Sequence, residues 1–201
     1  MNTIHLNSKP WFMNYIEETL KCSAIQNNIE TKRKQSYKIS KHTDMKFIIV
    51  GKAAAGKDHL RKRLIDRGLR YGVSCTTRPP RAGEIDGKDY HFFQEQEFLN
   101  LINSGDMIEY QQFVGWYYGL TREEFENSDV IILNREAVDM LPEEIREQCM
   151  VLYLDIDKDV RLNRMLERND QDDNLQRRME ADEKQYENFT NYDLRLTNPD
   201  F

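Results

Sequence analysis

The clearest pattern in the chain is a short apolar run, KFIIV at residues 46–50, which is typical of a strand buried on both faces of a parallel sheet. A glycine-containing loop follows, and Leu60, Leu64 and Ile65 then predict a helix over about 57–68. Two further apolar runs, DVIILN at 129–134 and CMVLYLDI at 149–156, predict strands that return to the core. YDLRLTN near the end predicts a last strand.

The middle of the chain predicts shorter elements. Residues 71–75 and 89–93 are expected to be strands, and EQEFLNLINSG is expected to be a helix ended by Gly105. Residues 106–120 predict a hairpin that turns near Gly115, and TREEFEN a short helix. The charged stretch 157–190 is predicted to be helical, with a polar break at NDQDDN. This alternation indicates an α/β protein with a parallel sheet covered on both faces.

The first 44 residues follow a different pattern. WFMNYIEETLKCSAI favours one amphipathic helix, and the polar, basic residues after it are typical of a linker. Met45 then directly precedes the first strong strand. We expect residues 1–44 to be an appendage or linker, and a native start at Met45 is equally compatible with the sequence.

Composition narrows the class of protein. The chain has 201 residues, enough for one domain, and its net charge of −6 provides no global basic field for nucleic acid. Cys22, Cys75 and Cys149 are far apart and odd in number, as expected for free thiols in a reducing compartment. No apolar run approaches the roughly 20 residues of a membrane helix. We therefore expect a cytoplasmic protein without membrane or nucleic-acid partners.

The loop after the first strand matches the phosphate-binding pattern G-x-x-x-x-G-K. Gly51, Gly56 and Lys57 carry the pattern between a strand and a helix, the context that it requires. Backbone N–H groups in such a loop bind phosphate oxygens, and the lysine reaches the distal phosphates of a nucleoside triphosphate. Asp58 stands where a Mg²⁺-binding Ser or Thr is usual, so we expect Asp58 itself to be a metal ligand. The predicted ATP-binding loop comprises Gly51, Ala53, Ala54, Ala55, Gly56, Lys57, Asp58 and His59.

A second segment, VSCTTRPPRAGEIDGKDYHF at 73–92, carries ordered polar residues within a turn-rich loop. It has the order S-x-T-T-R-x-x-R-x-x-E-x-x-G-x-x-Y, and GWYYG follows later at 115–119. Arg78 and Arg81 are placed to converge on one phosphate group. Together with the phosphate loop, this order resembles the nucleoside-monophosphate site of guanylate kinases over residues 45–198.

The resemblance implies an α/β fold of the P-loop NTPase type, with a parallel core, a mixed nucleotide-binding insertion and a helical lid. It implies that Glu109 accepts hydrogen bonds from guanine and that Ser74 bonds the guanine oxygen. The implied monophosphate site comprises Ser74, Arg78, Arg81, Tyr90, Glu109, Tyr118 and Asn134.

The charged stretch near the end of the chain resembles the family's lid. Arg164, Arg168 and Arg178 match its arginines by position, whereas Arg161 and Arg177 match less securely. An amphipathic helix pair with ion pairs is the alternative for this stretch. Asn198 corresponds to a residue near the donor base. The implied catalytic set is Lys57, Arg81, Arg164, Arg168 and Arg178.

Two positions depart from the family pattern. Leu120 stands where the family has Ser or Thr, and the strand end that is usually Asp-x-Asp-like has Ile132 and Asn134. The resemblance therefore leaves three functions open. The first is an ATP- and Mg²⁺-dependent kinase acting on GMP or dGMP. The second is a deoxynucleoside-monophosphate kinase with altered base choice, and the third is an inactive module that binds phosphopeptides.

The expected domain organisation places a guanylate-kinase-like domain at 45–201. Its core comprises 45–72, 128–160 and 185–201, the nucleotide-binding part 73–127 and the lid about 161–184. Small-molecule nucleotides are the expected partners, and the chain is expected to be a monomer or a homodimer.

Overall fold

The computed structural model describes residues 45–113, 115–167 and 175–200, excepting the side chains of Phe113 and of residues 176–178. The amphipathic helix and linker expected within 1–44 lie outside these ranges. No helix among the described residues is both long and apolar enough to cross a membrane.

The described residues contain nine strands and seven helices. The strands are β1 (Lys46–Gly51), β2 (Tyr71–Gly72), β3 (Cys75–Thr76), β4 (His91–Phe92), β5 (Met107–Phe113), β6 (Trp116–Thr121), β7 (Val130–Ile132), β8 (Cys149–Leu154) and β9 (Leu194–Leu196). The helices are α1 (Lys57–Ile65), α2 (Glu95–Ser104), α3 (Arg122–Asn127), α4 (Arg135–Met140), α5 (Glu143–Arg146), α6 (Lys158–Glu167) and α7 (Leu175–Gln185).

Five strands form the parallel core sheet, in the order β2-β7-β1-β8-β9. The apolar run of β1 is buried from Phe47 to Gly51, and β8 is buried along its whole length. Each face of the sheet carries its own apolar cluster, one around Ile48 and Val151 and one around Ile49 and Leu152. This arrangement confirms the predicted α/β fold with a parallel sheet covered on both faces.

The insertion between β2 and β7 forms a second sheet, in the order β4-β3-β6-β5. β3 pairs in parallel with β4 and antiparallel with β6, while β5 and β6 form the predicted hairpin. The hairpin turns at Gly115, whose φ of 82° lies in the left-handed region. The sheet is therefore mixed, as the family resemblance implied.

One predicted strand is wrong. Residues 71–75 form two strands in two sheets, β2 in the core and β3 in the insertion. The break falls at Val73 and Ser74, because the Val73 N–H donates to the Glu124 side chain at 2.9 Å rather than to a strand. A Cβ on Gly72 would lie 2.7 Å from Ser128 Oγ, so glycine permits this close approach.

The helices follow the predictions with shorter bounds. α1 ends at Ile65, and α2 ends at Ser104 with Gly105 as its C-cap, whose φ is 78°. α4 and α5 are additional elements of six and four residues, too short for a 3.6-residue apolar period to mark them. α6 and α7 occupy the predicted lid region on either side of residues 168–174, and the break predicted there lies outside the described residues.

Candidate active site

The phosphate loop joins the C-terminal end of β1 to the N-terminus of α1. Gly51 packs so closely on β8 that an added Cβ would lie 2.8 Å from the Leu154 carbonyl oxygen. Ala54 and Gly56 have φ of 57° and 98°, so the loop passes twice through the left-handed region. Lys57 Nζ donates to Gly51 O at 2.6 Å and to Lys52 O at 2.9 Å. The lysine therefore lies against the first turn of the loop, where the motif predicts its phosphate partners.

Asp58 lies in the first turn of α1 with its side chain 76% exposed, and it forms an ion pair with Arg61 at 3.3 Å. His59 beside it is also exposed. Mg²⁺ at nucleotide sites is held by one or two carboxylates, phosphates and several waters. An accessible carboxylate next to the predicted phosphate lysine is thus a donor set that suits Mg²⁺.

Arg78 is held by Glu84 within the turn-rich segment. Its Nη2 donates to both carboxylate oxygens at 2.9 and 3.0 Å, and Glu84 also accepts the Arg81 N–H at 2.7 Å. The guanidinium lies over the rings of Tyr90 and Phe92 at 5.6 and 5.9 Å. The hydrogen bond from the Arg78 side chain is the main reason why the pKa of Glu84 lies below its ordinary value. Glu84 therefore orients the Arg78 side chain and holds the backbone at Arg81.

Tyr90 and Tyr118 meet edge to face beside Arg78, with ring centroids 6.2 Å apart. Burial, and secondarily Tyr118, raises the pKa of Tyr90, so its hydroxyl is a donor at neutral pH. Arg81 is exposed on the loop that leads to this pair. The structure thus places three of the four predicted phosphate-binding side chains together and the fourth on the adjoining loop.

The two threonines of the segment hold it to the hairpin. The hydroxyl of Thr76, which is fully buried, donates to Tyr117 O at 2.9 Å, and Thr77 Oγ1 accepts the Tyr117 N–H at 2.9 Å. Both bonds fix the strand that precedes Arg78 against β6. Their role is to position the arginine loop.

Glu109 is buried on β5. Its side chain is only 8% exposed, and its Oε2 has no hydrogen-bond partner among the described residues. Burial raises the pKa of this carboxyl to about 8. A buried, unpaired carboxylate oxygen is uncommon, and it provides an acceptor for a ligand.

Leu120 is opposite Glu109 in the β5–β6 register and is fully buried in the core with Ile108 and Ile131. The hydroxyl that the family pattern would supply here is replaced by core packing. Ser74 is partly buried just before β3, and its carbonyl accepts the His91 N–H. Of the described side chains predicted to contact the base, Glu109 is the one with an unpaired buried atom.

Asn134 is the N-cap of α4. Its Oδ1 accepts the Ala137 N–H at 2.8 Å, which satisfies one of the free backbone donors of that helix. The side-chain carbonyl is therefore occupied by the helix.

Of the three arginines predicted for the lid, the structure describes the side chain of Arg164. Arg164 donates from Nη1 to Ala54 O at 3.2 Å and from Nη2 to Pro199 O at 3.0 Å. It therefore connects the phosphate loop to the C-terminal segment, where Asn198 Oδ1 accepts the Asp200 N–H. Arg168 and the side chain of Arg178 lie outside the described residues.

The sequence did not reveal a network beside the loop. Arg161 is fully buried, and its Nη2 forms a short hydrogen-bonded ion pair with Glu183. Asp182 Oδ2 accepts the Ala53 N–H at 2.8 Å, and Lys52 donates to Glu183 at 2.5 Å. One signal was available, since Arg161 is four residues before the buried Met165 and so lies on the core face of α6.

Tyr71 lies between the phosphate-loop helix α1 and the insertion. This phenol interacts electrostatically with Arg61 and Asp58 of α1 and with Tyr90 of the insertion, and burial is the main cause of its raised pKa. The predicted triphosphate and monophosphate sites therefore adjoin the same side chain.

Comparison with known proteins gives a consistent set of similarities. The guanylate kinase family model matches residues 43–201. A guanylate kinase of Oceanobacillus iheyensis is 40% identical over 97 residues, 45% of this chain and 47% of that protein, so the match spans about half of that relative. A guanylate kinase of a Nostoc species is 29% identical over 77% of this chain and 82% of that protein. The crystal structure of guanylate kinase from Anaplasma phagocytophilum has the same fold, with a TM-score of 0.55 and 24% identity over 77% of this chain and 76% of that one.

Proposed function

Because the chain belongs to the guanylate kinase family, we propose that it transfers the γ-phosphoryl group of ATP to a nucleoside monophosphate. GMP and dGMP are the preferred acceptors, and the products are ADP and GDP or dGDP. The observation that carries this proposal is the buried carboxyl of Glu109, whose Oε2 lacks a partner among the described residues. An ionised carboxylate offers two acceptors, which match the N1–H and 2-amino group of guanine.

The acceptor phosphate binds between the arginines and tyrosines of the insertion. Arg78 is already oriented by Glu84, and Arg81 follows on the same loop. The hydroxyls of Tyr90 and Tyr118 add neutral donors beside the Arg78 guanidinium. Ser74 and Asn134 complete the proposed monophosphate site, with the Asn134 amide nitrogen as its available donor.

The triphosphate binds over the phosphate loop, with Lys57 at its distal phosphates. An oxygen of the acceptor phosphate attacks the γ-phosphorus, and the bond to the β–γ bridging oxygen breaks, so that the electron pair remains on ADP. No side-chain nucleophile is required, and the protein contributes positioning and electrostatic stabilisation. The positive charges of the lid come from Arg164, Arg168 and Arg178. Asn198 is assigned to the side of the site that binds the base of ATP.

Mg²⁺, when bound with the triphosphate, neutralises charge on the transferring group. We assign Asp58 as its protein ligand, because this exposed carboxylate adjoins Lys57. To bind the metal ion, Asp58 must give up its ion pair with Arg61. Arg61 then remains close enough to offset the negative charge that Asp58 adds to the loop.

A deoxynucleoside-monophosphate kinase with altered base choice is a second candidate, and one observation favours it. Leu120 is fully buried in the core, so the chain has no hydroxyl at the position where the family pattern has one. A site that reads the base through Glu109 with fewer polar neighbours discriminates less by hydrogen bonding.

We assign the catalytic domain to residues 45–201 and an appendage to 1–44, with the nucleotide-binding part at 73–127 and the lid at about 161–184. Cys75 and Cys149 are free and buried, which suits the reducing cytoplasm. A monomer or a homodimer is the expected assembly.

A coupled ADP-release assay tests the proposal. The full chain is assayed with ATP, Mg²⁺ and a panel of GMP, dGMP, AMP, CMP, UMP and dTMP, with Lys57→Ala as the control. We expect turnover on GMP and dGMP that the Lys57→Ala variant loses by at least about 100-fold.

Turnover on a base other than guanine supports the altered-specificity candidate. Absence of turnover on the whole panel by folded protein contradicts the kinase proposal and leaves a phosphopeptide-binding module as the better account.

A further inference from the structure

The phosphate loop contains a non-glycine residue in the left-handed region. Ala54 has φ of 57°, and it lies between the two alanines at positions 53 and 55. An L-residue with a Cβ is disfavoured in this region and persists only when the surrounding structure holds it. The conformation of this loop therefore depends on contacts outside the loop.

Side chains from α6 and α7 supply those contacts. Asp182 Oδ2 accepts the Ala53 N–H at 2.8 Å, and Arg161 Nη1 donates to Ala53 O at 3.4 Å. Arg164 Nη1 adds a bond to Ala54 O at 3.2 Å. The peptide groups before and after Ala54 are thus both held by the lid-bearing helices.

These contacts are anchored in a buried ion-pair network. Arg161 is fully buried, donates to Ile156 O at 3.1 Å and pairs with Glu183. Its distance to Asp182 is 3.8 Å, so the aspartate charge beside the loop is offset. A buried arginine that bonds both acids and backbone has little freedom to move, and it transmits the position of α6 and α7 to the loop.

We propose that Arg161 and Asp182, here called the loop clasp, are positioning residues for the donor nucleotide, because they hold Ala54 in the conformation that phosphate binding needs. This inference rests on the proposed kinase function. A preorganised loop binds a ligand more tightly than one that must be ordered on binding. Removing the clasp therefore weakens binding of the triphosphate and leaves the monophosphate site unaffected.

A double-mutant cycle tests the clasp. The variants are Asp182→Ala, Ala54→Gly and the double variant in the full chain, and calorimetry measures the affinity for Mg²⁺ with AMP-PNP and, separately, for GMP. Asp182 is the better target because Arg161 keeps Glu183 as a partner when the aspartate is removed. Glu187→Ala is the matched acidic control, since its side chain has no hydrogen bond or ion pair among the described residues.

Glycine adopts the left-handed region without strain, so it makes the clasp unnecessary. We expect Asp182→Ala to weaken AMP-PNP binding about tenfold in the natural loop and less than about threefold in the Ala54→Gly background. GMP affinity and the control variant should stay within about twofold of the natural protein. An equal loss in both backgrounds overturns the inference, as does tighter AMP-PNP binding, which would mean that Asp182 competes with phosphate.

Amide hydrogen exchange tests the same inference without nucleotide. In Asp182→Ala, the amides of residues 54–57 should exchange at least about fivefold faster, and the double variant should recover most of the protection. Unchanged exchange in Asp182→Ala overturns the clasp even if the kinase proposal holds. Failure of the natural protein to bind AMP-PNP contradicts the kinase proposal, while the exchange result still decides the clasp.

Discussion

Glu109, the residue that we propose binds the base, also affects stability, because its carboxyl is buried. Its carboxyl is 8% exposed, and burial raises its pKa to about 8. The folded protein therefore binds a proton at neutral pH that the unfolded chain releases above about pH 4.5. Burial of this ionisable side chain therefore lowers the stability of the folded protein at neutral pH, as is common for residues kept for function.

The first prediction concerns the stability of Glu109→Gln. Because the raised pKa makes the native state bind more protons, the unfolding free energy of the natural protein should fall by up to about 1.4 kcal/mol per pH unit between roughly pH 4.5 and 8. The amide does not titrate, so Glu109→Gln should gain stability relative to the natural protein as pH rises. Thermal unfolding at pH 5.5 and 8.5 measures this, with the exposed Glu95→Gln as control. Equal pH slopes in Glu109→Gln and the natural protein would refute it.

The second prediction concerns base choice. Below about pH 8 the free protein holds Glu109 mainly as the neutral acid, which offers one donor and one acceptor and no longer matches guanine alone. The ratio of kcat/KM for GMP to that for AMP should therefore increase at least about fivefold from pH 6.5 to 8.5. Taking the ratio cancels the titration of the nucleotide phosphate itself. A ratio that is independent of pH would show that the ionisation of Glu109 does not select the base.

At the scale of the element, the arginine loop at 77–90 depends on Glu84. This carboxylate accepts two hydrogen bonds from Arg78 and one from the Arg81 N–H, so it positions both arginines that we propose bind the acceptor phosphate. We predict that Glu84→Ala raises the KM for GMP about tenfold and leaves the KM for ATP within about twofold. Glu84→Gln keeps an acceptor and should have a smaller effect. A lowered KM for GMP would mean instead that Glu84 competes with phosphate for Arg78.

The N-terminus of α4 provides a test of Asn134. Its side chain caps the helix at Ala137, so Asn134→Ala should lower the unfolding free energy by about 1 kcal/mol, whereas Asn134→Asp should retain the cap. Chemical denaturation of the two variants measures the difference. If Asn134 also contacts the base, Asn134→Asp should change the ratio of GMP to AMP turnover. Loss of stability in both variants would contradict the capping role.

The sequence determines some elements of this fold more clearly than others. β1 and β8 were predictable because a strand buried on both faces has a continuous apolar run. The division of residues 71–75 between two sheets was not predictable, because it depends on a contact of Val73 with Glu124, fifty-one residues away. α4 and α5 were missed because they span only six and four residues, too few for a 3.6-residue apolar period to mark them.

Across the whole molecule, the candidate site also combines residues that local sequence patterns identify with residues that only the fold brings together. The residues with motif spacing, from Gly51 to Lys57 and from Arg78 to Tyr90, were predictable because the chemistry requires a fixed local order. The loop clasp was not, because Asp182 meets Ala53 only when α7 packs beside the phosphate loop, 129 residues away in sequence. The motif therefore identified the loop, while the contacts that hold its backbone required the fold.

The last prediction concerns the extent of the folded unit. Every described strand and both apolar clusters fall within residues 45–200, and the core sheet begins with Lys46 of β1. A protein that starts at Met45 should therefore unfold within about 3 °C of the full chain and keep its kcat/KM for GMP within about twofold. Calorimetric unfolding and the ADP-release assay on the two proteins measure this. A large loss of stability with activity retained would show that residues 1–44 pack on the domain, whereas loss of activity alone would assign them a role at the site.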